Sequence, residues 1–341
     1  MHNNFTLLRV FAAVGVFFAH SSTHLYNTSS SFSALVRLFH FMPGVPVFFL
    51  ISGYLIAKSY DRNPCITDYI INRMLRILPA LYVCFLISLA VVFTFGYFDT
   101  VPFSEIIVWS FAQLSFIQFY NPDFLRSFGV GVLNGSLWTI SVEICFYILL
   151  PVLAWQIRTA SKKTFVTLFI LSISFLSYFY FRIIIHDFSS LSNIDKLFYV
   201  SILPYLFYFT LGMLFYYHRL YFISFVKKKC VYIFLLYLSL YLFPQSGFLF
   251  FMVQKIIFSF FVFSIAFNFV AKSRGVEKWR QLDLTYGIYI YHMLVINVFV
   301  ELNFQGDIVY VLYAFGITVI LAILSFYLVE KPFLFLKKRA K

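Results

Sequence analysis

This sequence has little charge for its length. Asp, Glu, Lys and Arg together make up 11% of its 341 residues, whereas 62% are hydrophobic, and no soluble domain of that length can hide so much apolar surface in one core. The expected solvent is therefore lipid. Long hydrophilic tracts are also missing, which leaves no room for a separate soluble domain and predicts a single membrane domain over residues 1–341. Cysteine is sparse and lacks ligand spacing: Cys65, Cys84, Cys145 and Cys230 form no CxxC and lie mostly in or beside apolar segments, so they read as inert packing residues. A cleavable leader is disfavoured, because Arg9 is the sole strong positive charge near the start and the apolar stretch runs on to Ala19, as in a retained first helix.

The net charge of +13 would point to nucleic acid only if the basic residues shared one soluble surface. They sit instead in short loops between apolar runs, so no nucleic-acid partner is expected and membrane lipid is. Aromatic residues at 23%, led by 49 Phe and 25 Tyr, suit helices packed against acyl chains and ringed by interfacial belts.

Each crossing needs roughly 17–25 apolar residues. Such runs fall at 6–24, 39–57, 77–97, 136–155, 165–182, 199–217, 230–243, 248–270, 285–301 and 308–329. The fold class is accordingly all-α, a polytopic membrane helix bundle of about ten transmembrane helices. The seventh run is short, with Pro244-Gln245-Ser246-Gly247 marking its turn into the eighth. Lys and Arg gather in the loops of one side, leaving only Arg37, Arg126, Arg182, Lys196 and Lys255 for the other, and this asymmetry predicts that both termini are cytoplasmic. Residues 106–120 are apolar enough to tempt a further span. Counting them would split the later basic loops from the earlier ones, so they read as an outer interfacial or re-entrant helix.

Ionisable groups inside spans are costly and mark functional positions or buried ion pairs. Arg9 and His20 share the first span. Eleven residues at about 100° each make three turns plus roughly 20°, which puts both on one face, about 16 Å apart along the axis. Arg9 reads either as a snorkelling anchor or as part of a site. His20 reads either as a satisfied interhelical hydrogen-bonder or as a general base, for which an imidazole with a reference pKa near 6.5 is suited. His24 follows one turn on, and a His pair at that spacing can hold zinc. No third ligand cluster is evident, so no metal is expected. Glu143, about two turns into the fourth span, could orient and polarise an imidazole or close a structural ion pair. Arg73 and Arg76 stand at i and i+3, pointing one way at the membrane surface, where paired guanidiniums suit phosphate, although ordinary positive-inside charge is the plainer reading of these residues alone. Pro43-Gly44 through Ser52-Gly53-Tyr54 could accommodate broken backbone lining a cavity or close helix contact. His292 in the ninth span reads as structural, and Glu330 as the partner of a nearby base.

Together these segments resemble the membrane-bound acyltransferase family 3, which includes O-acetyltransferases of lipopolysaccharide O-antigens and of nodulation factors. The resemblance rests on Arg9 with ten residues before His20, Phe48-Phe49-Leu50-Ile51-Ser52-Gly53-Tyr54, Arg73-Met74-Leu75-Arg76 before Pro79, Leu137-Trp138-Thr139-Ile140-Ser141-Val142-Glu143, Tyr286-Gly287-Ile288-Tyr289 with His292, and Val329-Glu330-Lys331-Pro332. It spans nearly the whole chain. It implies that His20 is the catalytic residue, that Arg9, Arg73 and Arg76 serve activity and acyl-CoA handling, and that the enzyme sits in a bacterial inner membrane. Larger members append a periplasmic SGNH hydrolase-like domain, which is not expected here.

The expected chemistry follows. Acyl-CoA, acetyl-CoA or a homologue, docks its phosphates near Arg73 and Arg76 on the cytoplasmic face, and its thioester lies near His20 and the segment around Ser52. A hydroxyl of a lipid-linked or surface glycan such as O-antigen approaches from the other side and yields its proton to His20. Direct transfer is preferred, although Ser52, Ser141 and His20 are all conceivable acyl carriers. The rival is a transporter or flippase for a glycan or small acid, because polar residues in broken helices also line substrate pathways. Few acidic residues and no detectable repeat disfavour it. No motif specifies an oligomeric state.

Overall fold

The computed structural model describes residues 3–26, 30–156, 166–167, 170–171, 173–174, 177–178, 192–243, 247–268 and 282–339. Among them every regular element is a helix. In chain order these are α1 (Phe5–His24), α2 (Ser30–Phe41), α3 (Gly44–Arg62), α4 (Ile66–Thr94), α5 (Phe103–Leu114), α6 (Trp138–Gln156) and α7 (Asn193–Tyr199). Then come α8 (Leu206–Tyr217), α9 (Arg219–Lys228), α10 (Cys230–Leu242), α11 (Phe248–Asn268), α12 (Thr285–Glu301), α13 (Ile308–Ser325) and α14 (Lys331–Arg339). Short 3₁₀ turns at Asp123–Leu125, Gly135–Leu137 and Leu203–Tyr205 link some of them.

Six helical stretches are long and apolar enough to cross a bilayer: Phe5–His24, Phe32–Arg62, Ile66–Thr94, Asn193–Tyr217, Leu249–Asn268 and Ile308–Phe335. Large apolar side chains on them stay uncovered by protein, such as Phe93 at 70% exposed, with Leu86, Leu312, Ile320 and Leu328 likewise. In water such a surface would drive aggregation, whereas against acyl chains it is the natural face. The chain is a multi-pass membrane protein. Of the shorter expected spans, 230–243 is the 13-residue α10 and 285–301 the 17-residue α12. The run at 165–182, the turn at Pro244-Gln245-Ser246 and the basic loops at 157–163 and 272–280 lie largely outside the described residues.

Three boundaries differ from the sequence reading. The second run, 39–57, is interrupted: α2 ends at Phe41, Met42 turns back onto the Phe39 carbonyl at 3.0 Å, and α3 starts after Pro43. Proline disfavours helical backbone in the residue before it, which places the break at Met42. From Gly44 on, α3 is continuous through Ser52 and Gly53, so the backbone is not broken there. The third run begins eleven residues early, because α4 starts at Ile66 and carries Arg73 and Arg76 inside it and continues through Pro79. The 106–120 run overlaps only the 12-residue α5, which starts at Phe103 and is about 18 Å long, too short to cross a hydrocarbon layer of about 30 Å.

The chain divides into two compact units. The first comprises Met1–Arg9, Val45–Ile66 and Cys145–Lys278. Here α3 and α8 touch backbone to backbone: a Cβ on Gly53 would sit 2.0 Å from the Phe209 carbonyl oxygen, and one on Gly212 2.1 Å from that of Leu50. Small residues at facing positions let membrane helices approach this closely. Phe5, Tyr54, Phe263 and Phe267 close the cluster around this contact.

The second unit comprises Val10–Gly44, Thr67–Ile144 and Trp279–Lys341. The outer half of α1 packs on α2, α12 and α13 through Phe17, Leu25, Phe32, Met293, Ile296, Phe299 and Ala314. Trp109 of α5 fills the space between Phe85, Phe98 and Phe124. The segment before α6 is tied to α12 by side chains. Asn297, fully buried, accepts from Val130 N at 2.8 Å and donates to the Val132 and Leu133 carbonyls, and Glu301 accepts from Gly129 N at 2.8 Å and from the Tyr97 hydroxyl at 2.8 Å. Between α13 and α14 the helix widens into a π turn over Phe326–Glu330, which accommodates Pro332 with its missing N–H.

The glycine contact predicts that Gly53→Leu destabilises the protein by about 1–3 kcal/mol or prevents assembly, whereas Gly316→Ala, whose Cβ meets nothing within 4 Å, leaves the melting temperature in detergent unchanged. Equal melting of the two variants would contradict it.

Candidate active site

Histidine is rare within the apolar helices, and three of its copies converge in the second unit. His20 and His24 lie one turn apart on α1 with rings 6.2 Å apart and nearly parallel at 7°. His292 comes from α12, its ring 5.4 Å from that of His20 and tilted by 33°. The apolar contacts between α1 and α12 set this approach, since Phe17 and Met293 flank the two histidines in sequence and belong to the same core.

His292 is fully buried. Its Nδ1 stands 2.7 Å from the Tyr289 carbonyl oxygen, three residues back on the same helix. A carbonyl only accepts, so Nδ1 carries a hydrogen and donates it. That assigns the remaining nitrogen: Nε2 of the neutral ring is a bare lone pair. It is buried and has no hydrogen-bond partner among the described residues, an unusual position for a polar atom in a helix bundle.

Behind His292 lies a polar cluster centred on Tyr289. Its hydroxyl is 2.7 Å from Thr139 Oγ1 and donates to the Ser136 carbonyl at 3.3 Å. Asn134 and Cys84 both donate to the Ile290 carbonyl, at 2.8 and 3.3 Å. Glu143, one turn beyond Thr139 on α6, is half-buried and acts electrostatically on the Tyr289 phenol. Ser141, a conceivable acyl carrier, donates to Gln118 Oε1 at 2.6 Å.

Arg73 and Arg76 both lie on α4, half-buried. The Arg73 guanidinium sits over the Tyr69 ring at 5.7 Å, which aims it along the helix surface. Arg76 is engaged by Asp283 just before α12, at 2.7 Å, with both side chains partly open to solvent. One edge of this guanidinium is thus occupied by a carboxylate that an incoming anion would have to share or displace. Arg9 and Ser52 belong to the first unit, Arg9 on α1 and Ser52 on α3 beside the Gly53 contact. Because α1 is one unbroken helix, the eleven-residue spacing of Arg9 and His20 holds as read. Glu330 is buried and accepts from the Ser325 hydroxyl at 3.2 Å.

No three His, Cys, Asp or Glu among the described residues are placed to share a metal ion. Sequence reading singled out His20 and His292 one at a time and missed their adjacency. It missed Asp283 altogether. Asn297 carried a usable signal, being the only amide in an otherwise apolar run from Met293 to Phe299.

The arrangement can do one thing chemically: move a proton at an imidazole within an apolar, water-poor bundle. The comparisons agree with a group-transfer setting. The profile of the acyltransferase 3 family, described as an acyltransferase domain, matches residues 2–330. This chain belongs to that family.

Among its relatives, nodulation protein 10 of Rhizobium leguminosarum bv. viciae is 37% identical over 161 residues, 44% of each chain. An O-acetyl transferase of Shigella phage Sf6 is 31% identical over 137 residues, 39% of this chain and 40% of the relative. A peptidoglycan O-acetyltransferase of Listeria monocytogenes serovar 1/2a is 27% identical over 116 residues, 32% of this chain and 19% of the relative. The matches thus span less than half the length of these relatives. No solved structure gives a significant match.

Two variants separate the site's framework from its surface. Asn297→Ala leaves several buried backbone groups without partners and should cost about 2 kcal/mol or more. Asp283→Ala removes a partly exposed ion pair and should cost no more than about 1 kcal/mol. Thermal unfolding of both in detergent checks this ordering, and the reverse order would overturn it.

Proposed function

We propose that this chain is a single-domain integral membrane O-acyltransferase that moves an acetyl or similar acyl group from acyl-CoA, most simply acetyl-CoA, to a hydroxyl of a cell-surface glycan such as lipopolysaccharide O-antigen. The observation that carries the reading is the imidazole pair His20 and His292 held in an apolar bundle of a chain that belongs to an acyltransferase family. The O-acetylating relatives support the choice of a hydroxyl acceptor. The family resemblance supports a bacterial inner-membrane placement, and the loop charges support an orientation with both termini, Arg73 and Arg76 on the cytoplasmic side, where acyl-CoA is found.

In this reading Arg73 and Arg76 take the donor's phosphates, with Asp283 holding Arg76 in position until they arrive. The family resemblance gives Arg9 and Ser52 a part in handling the acyl-CoA donor as well. His20 removes the proton from the glycan hydroxyl as that oxygen attacks the thioester carbonyl. The tetrahedral oxyanion collapses, the C–S bond breaks, and the proton passes from His20 to the departing CoA thiolate. Charge and atoms balance without an acyl-enzyme. The hydrogen bond that engages Ser141 supports direct transfer. Glu143 acts as a positioning carboxylate through Tyr289.

His20→Ala should remain folded in membranes and lower transfer by about 10²–10⁴-fold, read as loss of acetyl mass from surface glycan by mass spectrometry. Full activity would remove His20 from the reaction. Loss of the whole polymer in a gene deletion, in place of its acetyl groups, would mark a transporter. Arg73→Ala with Arg76→Ala should raise KM for acyl-CoA by about 10- to 100-fold, two charge-assisted contacts being lost, with kcat little changed. An unchanged KM would contradict the docking of phosphate there.

A further inference from the structure

The proton-transfer role given to His20 leaves two observations unused. His292 directs a bare, buried Nε2 at no protein donor among the described residues, and its ring lies 5.4 Å from that of His20. A ring nitrogen is about 1.1 Å from its ring centroid, and an N–H···N hydrogen bond spans about 3 Å, so two imidazoles joined by one such bond have centroids about 5.2 Å apart. The observed separation of 5.4 Å leaves room for one such bond once the His20 ring turns, none being formed at Nε2 in the structure as it stands. Across this contact His20 is the ring with freedom to turn, being half-buried, whereas His292 is locked by the Tyr289 carbonyl. The other neighbour of His20, His24, is farther off, its ring centroid 6.2 Å away, beyond the separation of a joined pair.

We infer that His292 is the positioning residue of the transfer reaction: its Nε2 accepts an N–H from His20 and thereby fixes His20 in the tautomer whose opposite nitrogen is bare and faces the acceptor hydroxyl. The relay runs from the Tyr289 carbonyl through the His292 ring to the His20 ring and ends at the substrate proton. An imidazole takes here the orienting place that a carboxylate fills in other base–orienter pairs. The choice suits the surroundings, because a neutral orienter needs no compensating charge inside hydrocarbon. When His20 becomes cationic during turnover, the same lone pair stabilises the imidazolium.

The inference deepens the acyltransferase reading and rests on it for its kinetic arm alone. The full chain, labelled with ¹⁵N-histidine and reconstituted in nanodiscs, decides it. The signals of His20 are identified by their loss in His20→Gln, and those of His292 by their loss in His292→Gln. In the wild type, His20 should show one N–H and one bare nitrogen, with scalar coupling between its N–H nitrogen and His292 Nε2. In His292→Phe, which keeps the bulk and lacks the acceptor, the two tautomers of His20 should average and kcat should fall about tenfold at unchanged KM for acyl-CoA. His292→Gln offers Oε1 in place of Nε2 and should recover most of the rate. A wild-type His20 that already averages its tautomers, or a His292→Phe variant that folds with His20 signals and kcat unaltered, overturns the inference. The wild-type spectrum decides it even if His292→Phe does not fold. A coupled pair in a chain that transfers no acyl group upholds the pairing and defeats only the acyltransferase reading.

Discussion

A single hydrogen bond, from His292 Nδ1 to the Tyr289 carbonyl at 2.7 Å, sets which nitrogen of this buried imidazole is bare. It consumes the one hydrogen a neutral imidazole has, so the lone pair must lie at Nε2, in a ring whose centroid is 5.4 Å from that of His20. The bond holds only while His292 stays buried, and burial comes from the apolar packing of α1, α2, α12 and α13. Asn297 and Glu301 complete the arrangement by tying the chain near 129–133 to the end of α12. Apolar packing buries the His292 ring, and the internal bond fixes its tautomer.

Much of the fold could be read in advance, because a span must be an uninterrupted apolar run and such runs are visible to inspection. Helix ends were less legible. Nothing in the sequence distinguishes where a helix stops from where lipid stops, so α4 began well before the apolar run did, carrying Arg73 and Arg76 in regular helix. The stretch from Pro43 to Tyr54 allows broken backbone anywhere along it, and the structure confines the break to its start, at Met42 and Pro43. The short α5 was recognised as no span from charge parity, and its length agrees.

At the site, ionisable side chains within apolar runs were conspicuous one at a time. His20 stood out in this way, while His292 passed as structural. Their adjacency is a contact between helices more than 250 residues apart in the chain, and one sequence holds no record of such pairing. The anchor of His292 was still less legible, since a backbone carbonyl has no side chain to announce it. Asp283 was hidden by ordinariness: an acidic residue at a span edge reads as solvated until a guanidinium is seen 2.7 Å away. Close helix contact is among the readings the sequence allows for Gly53, and what it withholds is the partner, Gly212 of α8.

The account comes down to where an acyl donor places its reacting carbon. A cryo-electron microscopy structure of the full chain with a non-hydrolysable thioether analogue of acetyl-CoA measures this directly. The account predicts phosphates at Arg73 and Arg76 and the analogue's carbonyl carbon within about 4 Å of where a hydroxyl bound to His20 would sit. An analogue seated with its acyl end away from His20, or entering from the opposite membrane face, would contradict it.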